Sequence, residues 1–264
     1  MLEGKPSRTA QGVAAARATM RRPCSPDGDP VGDERLSIEL AKGVPSPHGL
    51  LYQYLVGRTR FFDGTTTDAI GDGITQVVVV AAGYDGRALR FRTSGVRFIE
   101  LDHPATQKDK RALLAELSIE TADIGFAAAD FTTDDVGAAL DGAGHDPTST
   151  TLFLVEGLSV YLEEGVLHGL LSSLHTRAAP DSELAIDLSL QPTTAARAAA
   201  KKVFDNRVAS VGETARTRFS RDRALALLVA SGWDPDEIVD PADLNRMARR
   251  GSALLVRAIA AARE

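Results

Sequence analysis

Residues 76–81 read Gln-Val-Val-Val-Val-Ala, a run that is β-branched and apolar on both faces and is broken by Gly83. A strand with no polar face belongs inside a parallel sheet that is covered on both sides. Residues 97–101, 125–129, 151–155 and 183–188 read as four more short strands, and helical patterns lie between them near 104–117, 132–140 and 163–177. Strand and helix alternating in this way require a doubly wound α/β architecture with a parallel sheet. A further strand is expected at 253–259. The first quarter holds no strand. Residues 9–22 read as a helix capped by Thr9 and stopped by Pro23. Residues 24–32 form a loop, and 33–43 and 48–72 are helical, with Pro45 and Pro47 between them. After the fifth strand, 193–211 and 220–231 read as helices, the second ending at Gly232-Trp233.

The 264 residues, 44% of them hydrophobic and 25% charged, are enough to bury one large core and exclude a disordered or coiled-coil chain. The expected organisation is a single domain: a helical region over 1–72, an α/β core over 73–190, a helical lid over 191–231 and a return to the sheet over 232–264. A net charge of −6 argues against a broad nucleic-acid surface. The single cysteine, Cys24, excludes an internal disulfide framework and a cysteine zinc cluster. Residues 1–6 contain no signal-peptide core, and the apolar run 77–82 falls far short of the roughly 18 residues of a membrane span. The expectation is a cytoplasmic chain with no membrane partner; its oligomeric state is left open.

In open α/β sheets ligands sit beyond the carboxyl ends of the strands, so the residues at those ends carry the information about function. Here they are Gly83, Asp102, Asp130 and Glu156. The turn Ala81-Ala82-Gly83-Tyr84-Asp85-Gly86 resembles a dinucleotide fingerprint with alanine for its first glycine; Gly83 gives backbone access and Gly86 room for packing. Asp102 follows Gly83 by 19 residues, close to the spacing of a carboxylate that holds a ribose hydroxyl pair. Three carboxylates suit a net-cationic adenosine ligand better than an anionic pyrophosphate, which prefers amides and bases.

Residues 77–91, VVVVAAGYDGRALRF, resemble the S-adenosylmethionine loop of the leucine carboxyl methyltransferase family, and in particular its bacterial branch, which includes polyketide O-methyltransferases. Residues 99–110 (IELDHPATQKDK), Asp130-Phe131, 154–162 (LVEGLSVYL), Thr9-Ala10 with Arg17-Ala18, and 58–63 (RTRFFD) resemble further motifs of that branch. The resemblance runs from about Thr9 to Ser189. It implies a class I, Rossmann-like methyltransferase fold with a seven-stranded, mostly parallel sheet, an N-terminal helical cap and a helical lid. It also implies S-adenosyl-L-methionine as cofactor, with Gly83 and Ala81 against its methionine moiety and Asp102 on the ribose. Asp130 and Phe131 would flank the adenine, Glu156 or its carbonyl would hold the ammonium, and Arg58 with Arg17 the carboxylate. Arg60 is the alternative to Arg58. Tyr161 resembles the tyrosine facing the acceptor and is the candidate catalytic residue. Ala81 stands where the family has glycine, and residues after Ser189 match poorly.

The resemblance implies O-methylation of a small-molecule acceptor, a carboxylate or acidic phenol of secondary metabolism. A carboxylate acceptor is already anionic, whereas a phenol needs a base, and no His–acid pair offers one outside the poorly matched 190–231 region. Two other classes stay open, a nicotinamide-dependent oxidoreductase and a non-catalytic cofactor-binding protein. His168 and His175 share a helix face without further metal ligands, so no metal is expected. Trp233 reads as core, and the arginines of 246–250 as a solvated face.

Overall fold

The computed structural model describes residues 7–44, 47–210, 212–248 and 253–262. Residues 1–6, Pro45 and the pair Arg249 and Arg250, on which some sequence readings rest, lie outside them. Three helices, α1 (Arg8–Arg17), α2 (Pro30–Ala41) and α3 (Gly49–Gly71), precede β1 (Gln76–Val80). Then follow α4 (Arg87–Arg90), β2 (Arg97–Asp102), α5 (Pro104–Glu116), β3 (Ile124–Ala128), α6 (Val136–Gly142), β4 (Thr151–Val155), α7 (Glu164–Thr176) and β5 (Glu183–Ser189). The chain continues through α8 (Ala195–Ser210), α9 (Arg221–Ala230), β6 (Trp233–Val239), α10 (Pro241–Leu244) and β7 (Ala253–Ala260).

The seven strands form one sheet in the order β3-β2-β1-β4-β5-β7-β6. β1 pairs in parallel with both β2 and β4, and β7 lies antiparallel between β5 and β6. All five residues of β1 and of β4 are buried, as strands covered on both faces must be. Successive side chains divide between two cores. Val78 and Val80 pack with Ile99, Phe153 and the leucines of α7 and α9, whereas Val77 and Val79 pack with Leu152, Leu154, Phe62 of α3 and Leu114 of α5. The chain winds outward in opposite directions from β1 and β4, so the crevice of this fold opens beyond their carboxyl ends.

Several elements differ from the sequence reading: α2 begins at Pro30, inside the residues read as a loop, and the short α4 and α10 were not read. The first helix ends at Arg17 rather than running to residue 22, and its cap is Ser7, whose Oγ accepts from the Ala10 amide at 3.1 Å. The tail that follows is drawn inward by Arg22, which pairs with Asp33 at 2.8 Å and Asp63 at 2.9 Å. The strand β6 was not legible. Its sequence, WDPDEIV, carries Pro235 and three acids, but it is the outer strand of the sheet and its register shifts between Pro235 and Glu237. An edge strand with an irregularity is where a proline without an N–H is tolerated. Trp233, the first residue of β6, is fully buried, donates from Nε1 to the Leu171 carbonyl at 3.0 Å and meets Phe153 edge-on.

Candidate functional site

The turn after β1 is held in a conformation that glycine favours. Ala81 and Gly83 both have φ of 52°, in the left-handed region. For Ala81 this costs on the order of 1–2 kcal/mol. The turn therefore keeps the backbone of the glycine fingerprint although its first glycine is replaced. The Gly83 amide donates to Asp102 Oδ2 at 2.5 Å, and a Cβ on Gly83 would stand 2.9 Å from the Ala10 side chain of α1. The first helix thus lies directly over the turn. Gly86 makes room for the Asp33 carboxylate, which would stand 1.8 Å from a Cβ there, and not for a helix alone.

Asp102 ends β2 and is buried, accepting from the amides of Gly83 and, at 2.6 Å, His103. Burial pushes its carboxyl up to about 6, against the pull of those two amides. A carboxylate has about four acceptor sites, so two remain for hydroxyl donors. Asp130 ends the β3 segment half-exposed. Its Oδ1 accepts from the Thr132 hydroxyl at 2.7 Å and amide at 2.9 Å, and these bonds hold its carboxyl below the usual range. His103 Nε2 stands 3.9 Å from Asp130 Oδ2, linking the ends of β2 and β3. Phe131 beside it is partly buried against the core.

Glu156, at the end of β4, lies at the centre of a buried ion network. Arg17 reaches it at 2.7 Å, Arg58 at 2.9 Å and Arg87 at 2.6 Å. Burial alone would raise its carboxyl, but the three guanidiniums, Arg17 foremost, override burial and hold it far below the usual range. Arg17 and Arg87 also pair with Asp85, and Arg87 with Asp63. Asp63 connects through Arg22 to Asp33 and Arg90. On the other side Arg58 lies 3.5 Å from Asp187, which accepts from the Tyr54 hydroxyl at 2.9 Å and the Gly157 amide. The network joins Arg17, Arg22, Arg58, Arg87 and Arg90 to Asp33, Asp63, Asp85, Glu156 and Asp187. Its charges therefore balance, as low dielectric requires of buried ions. Two of its donors, Arg17 Nε and Arg87 Nη2, are buried without a hydrogen-bond partner among the described residues.

Most of the residues read from the sequence come together here, with differences in detail. Arg17 and Arg58 both arrive at the site, where they grip Glu156 itself. Arg60 turns away and donates to the Leu244 carbonyl at 2.7 Å. The Tyr161 hydroxyl, pushed up by burial, bonds to Thr9 at the start of α1 and lies near Glu213. Glu213 in turn accepts from the Ser7 hydroxyl at 2.8 Å and the Thr9 amide at 3.2 Å. Asp187 escaped the sequence reading although the strand-end rule, applied to the fifth strand, points to it. Asp63, Asp85 and Arg87 lie within the quoted motifs 58–63 and 77–91 but were given no role of their own. His168 and His175 contact the backbone carbonyls of Ala230 and Ala261, and among the described residues no His, Cys, Asp or Glu cluster has a metal-site arrangement.

The family model for leucine carboxyl methyltransferase matches residues 25–175, more than half of the chain. The chain belongs to the leucine carboxyl methyltransferase family. Its cofactor class is accordingly S-adenosylmethionine. A Mycolicibacterium smegmatis protein named as an S-adenosyl-L-methionine-dependent methyltransferase is 32% identical over 250 residues, covering 85% of this chain and 82% of its own. A Frankia alni protein of the same description is 34% identical over 207 residues, 76% of this chain and 62% of its own length. The crystal structure of a Thermobifida fusca protein described as a methyltransferase superposes with a TM-score of 0.63 at 17% identity, covering 99% of this chain and 97% of that one. That likeness concerns the fold, which is the class I, Rossmann-like methyltransferase fold. Among the described residues no helix is long and apolar enough to cross a membrane.

The residues at the strand ends suit this cofactor. Asp102 offers acceptor sites for a ribose diol, and the unpartnered guanidinium donors of Arg17 and Arg87 suit a carboxylate. Glu156 offers a carboxylate to an ammonium, and it is already compensated by three arginines.

Proposed function

We propose that this chain is an O-methyltransferase that moves the S-methyl group of S-adenosylmethionine to an oxygen of an acidic small molecule, a carboxylate or acidic phenol of polyketide or other secondary metabolism, in the cytoplasm. The observation that carries this reading is the buried Asp102 carboxylate bonded to the Gly83 amide, at the crevice of a methyltransferase-family fold. When bound, the cofactor supplies a methyl activated by positive sulfur. Asp102 receives the ribose hydroxyls, Asp130 and Phe131 flank the adenine, and the backbone at Ala81 and Gly83 lies along the methionine chain.

Arg17 and Arg58 would hold the carboxylate of the amino-acid end, and Glu156 would hold its ammonium in the place those guanidiniums now fill. A zwitterion adds no net charge to a balanced network, so neither partner is left as an isolated buried ion. The bound cofactor would supply a methyl open to in-line displacement by an acceptor oxygen, with the sulfur as leaving group. Holding and desolvating the two reactants is the main task of the protein in such a displacement. Tyr161, beside Glu213 and the start of α1, shapes the acceptor side.

The test is incubation with methyl-labelled cofactor and a panel of small carboxylic acids and phenols. Label that appears in product and is released as methanol by alkali marks a carboxylate acceptor, and alkali-stable label marks a phenol. Label transferred to neither class, by protein that binds the cofactor, overturns the O-methyl reading.

A further inference from the structure

The carboxyl ends of β1, β2 and β3 are taken by the groups assigned to the cofactor. Glu156 at the end of β4 is assigned to it as well, so the end of β5 remains for the acceptor, and the segment between β5 and α9 is built over it. The Phe219 amide donates to the Ser189 carbonyl at 2.9 Å, and the Arg216 and Thr217 amides both donate to the Val160 carbonyl, at 2.7 and 3.2 Å. Glu213, on the same segment, reaches the start of α1. The helix α8 precedes this strap. Arg197, Lys201, Phe204 and Asp205 of α8 are partly buried, whereas Lys202 and Val203 are exposed. Positions 197, 201, 204 and 205 share one helix face, so Lys201 points toward the sheet end. Its Nζ lies 3.1 Å from the hydroxyl of Ser189, the last residue of β5.

We propose that Lys201 binds the acceptor, and that the acceptor is an anion whose negative group meets the Lys201 ammonium at the carboxyl end of β5. The proposal deepens the methyltransferase reading and rests on it for the place of the acceptor. The charge distribution supports it. The chain as a whole has a net charge of −6, yet the face of α8 toward this edge carries Arg197 and Lys201 against Asp205. A cationic roof on an acidic protein concentrates anions locally. The neighbouring Arg218 is engaged by Asp205. Burial, with Arg218 adding to it, pushes the Lys201 amine down to about 8, while Asp205 pulls the other way. An ammonium kept partly out of water beside another cation is stabilised by a bound anion. Among the described residues, Arg218, Asp205 and Ser189 face it.

The experiment uses the full chain saturated with S-adenosylhomocysteine. Benzoate, salicylate and octanoate are titrated by calorimetry, each beside its neutral amide. A first titration with S-adenosylhomocysteine alone separates the two claims, since its failure removes the cofactor reading rather than this one. With the cofactor product bound, at least one anion should bind about tenfold or more tighter than its amide, the size of one charge-assisted contact. Lys201→Met should abolish that preference while leaving S-adenosylhomocysteine affinity and melting temperature as in the parent chain. Lys201→Arg should retain it. Anion affinity of the parent should fall as pH rises through about 8, where the lysine loses its charge, and that of Lys201→Arg should stay level. If no anion is preferred over its amide, or Lys201→Met keeps the preference, Lys201 does not bind the acceptor.

Discussion

Cofactor affinity should depend on pH through Asp102. Burial raises this carboxyl to about 6 from an ordinary value of 3.8. A raised acid binds its proton more tightly in the folded protein, so the unliganded fold loses stability as pH climbs from the ordinary carboxylate value through 6. Hydrogen bonds from a ribose diol favour the charged form and reverse that shift. Binding therefore requires the ionised fraction, which is about one half at pH 6 and about one tenth at pH 5. The dissociation constant of S-adenosylhomocysteine should then rise about tenfold between pH 7 and pH 5. Near pH 6 each binding event should release about half a proton. Calorimetry in buffers of different ionisation enthalpy measures that release directly. Asp102→Asn should flatten the profile and weaken binding by about 1.5–3 kcal/mol, the value of hydrogen bonds to a charged group. Proton release that persists in Asp102→Asn, or an affinity unchanged from pH 5 to 7, would refute the placement of the ribose on Asp102.

Glu156→Gln removes one charge that three guanidiniums share, and denaturant unfolding should report a loss of about 3–5 kcal/mol, as for a broken buried ion pair. Ala81→Gly relieves a left-handed alanine worth about 1–2 kcal/mol but adds glycine freedom to the unfolded chain worth about 0.5–1. Its melting temperature should hold or rise slightly, while S-adenosylhomocysteine affinity, read by the same titration, should improve. Tyr161→Phe should keep cofactor binding and lower turnover, whereas Arg58→Ala should lose cofactor affinity too. The reverse pattern in titration and turnover would exchange their roles.

Much of the sheet was legible because β1 to β4 are short apolar runs that end close to a glycine or an acid, and local pattern alone marks such runs. The strand ends then led to Gly83, Asp102, Asp130 and Glu156. What the sequence hid has physical reasons. β6 is an edge strand that tolerates Pro235 and surface acids, so neither alternation nor propensity reveals it. The ion network links α2, α3 and the ends of β1, β4 and β5, and pairing across such distances in sequence has no local signature. Arg87 reads as an ordinary helix-start charge until Asp63, Asp85 and Glu156 converge on it. Ala81 reads as a departure from the glycine pattern, yet the backbone keeps the glycine conformation around it.

The central claim is a methionine-bearing adenosine ligand at the crevice beyond β1 and β4. It is tested most directly by titrating the full chain with S-adenosylhomocysteine and, separately, with NAD at pH 7.5. The account predicts one S-adenosylhomocysteine site per chain, low micromolar or tighter, with a matching rise in melting temperature and no heat from NAD. Equal binding of NAD, or no binding of S-adenosylhomocysteine, would contradict it.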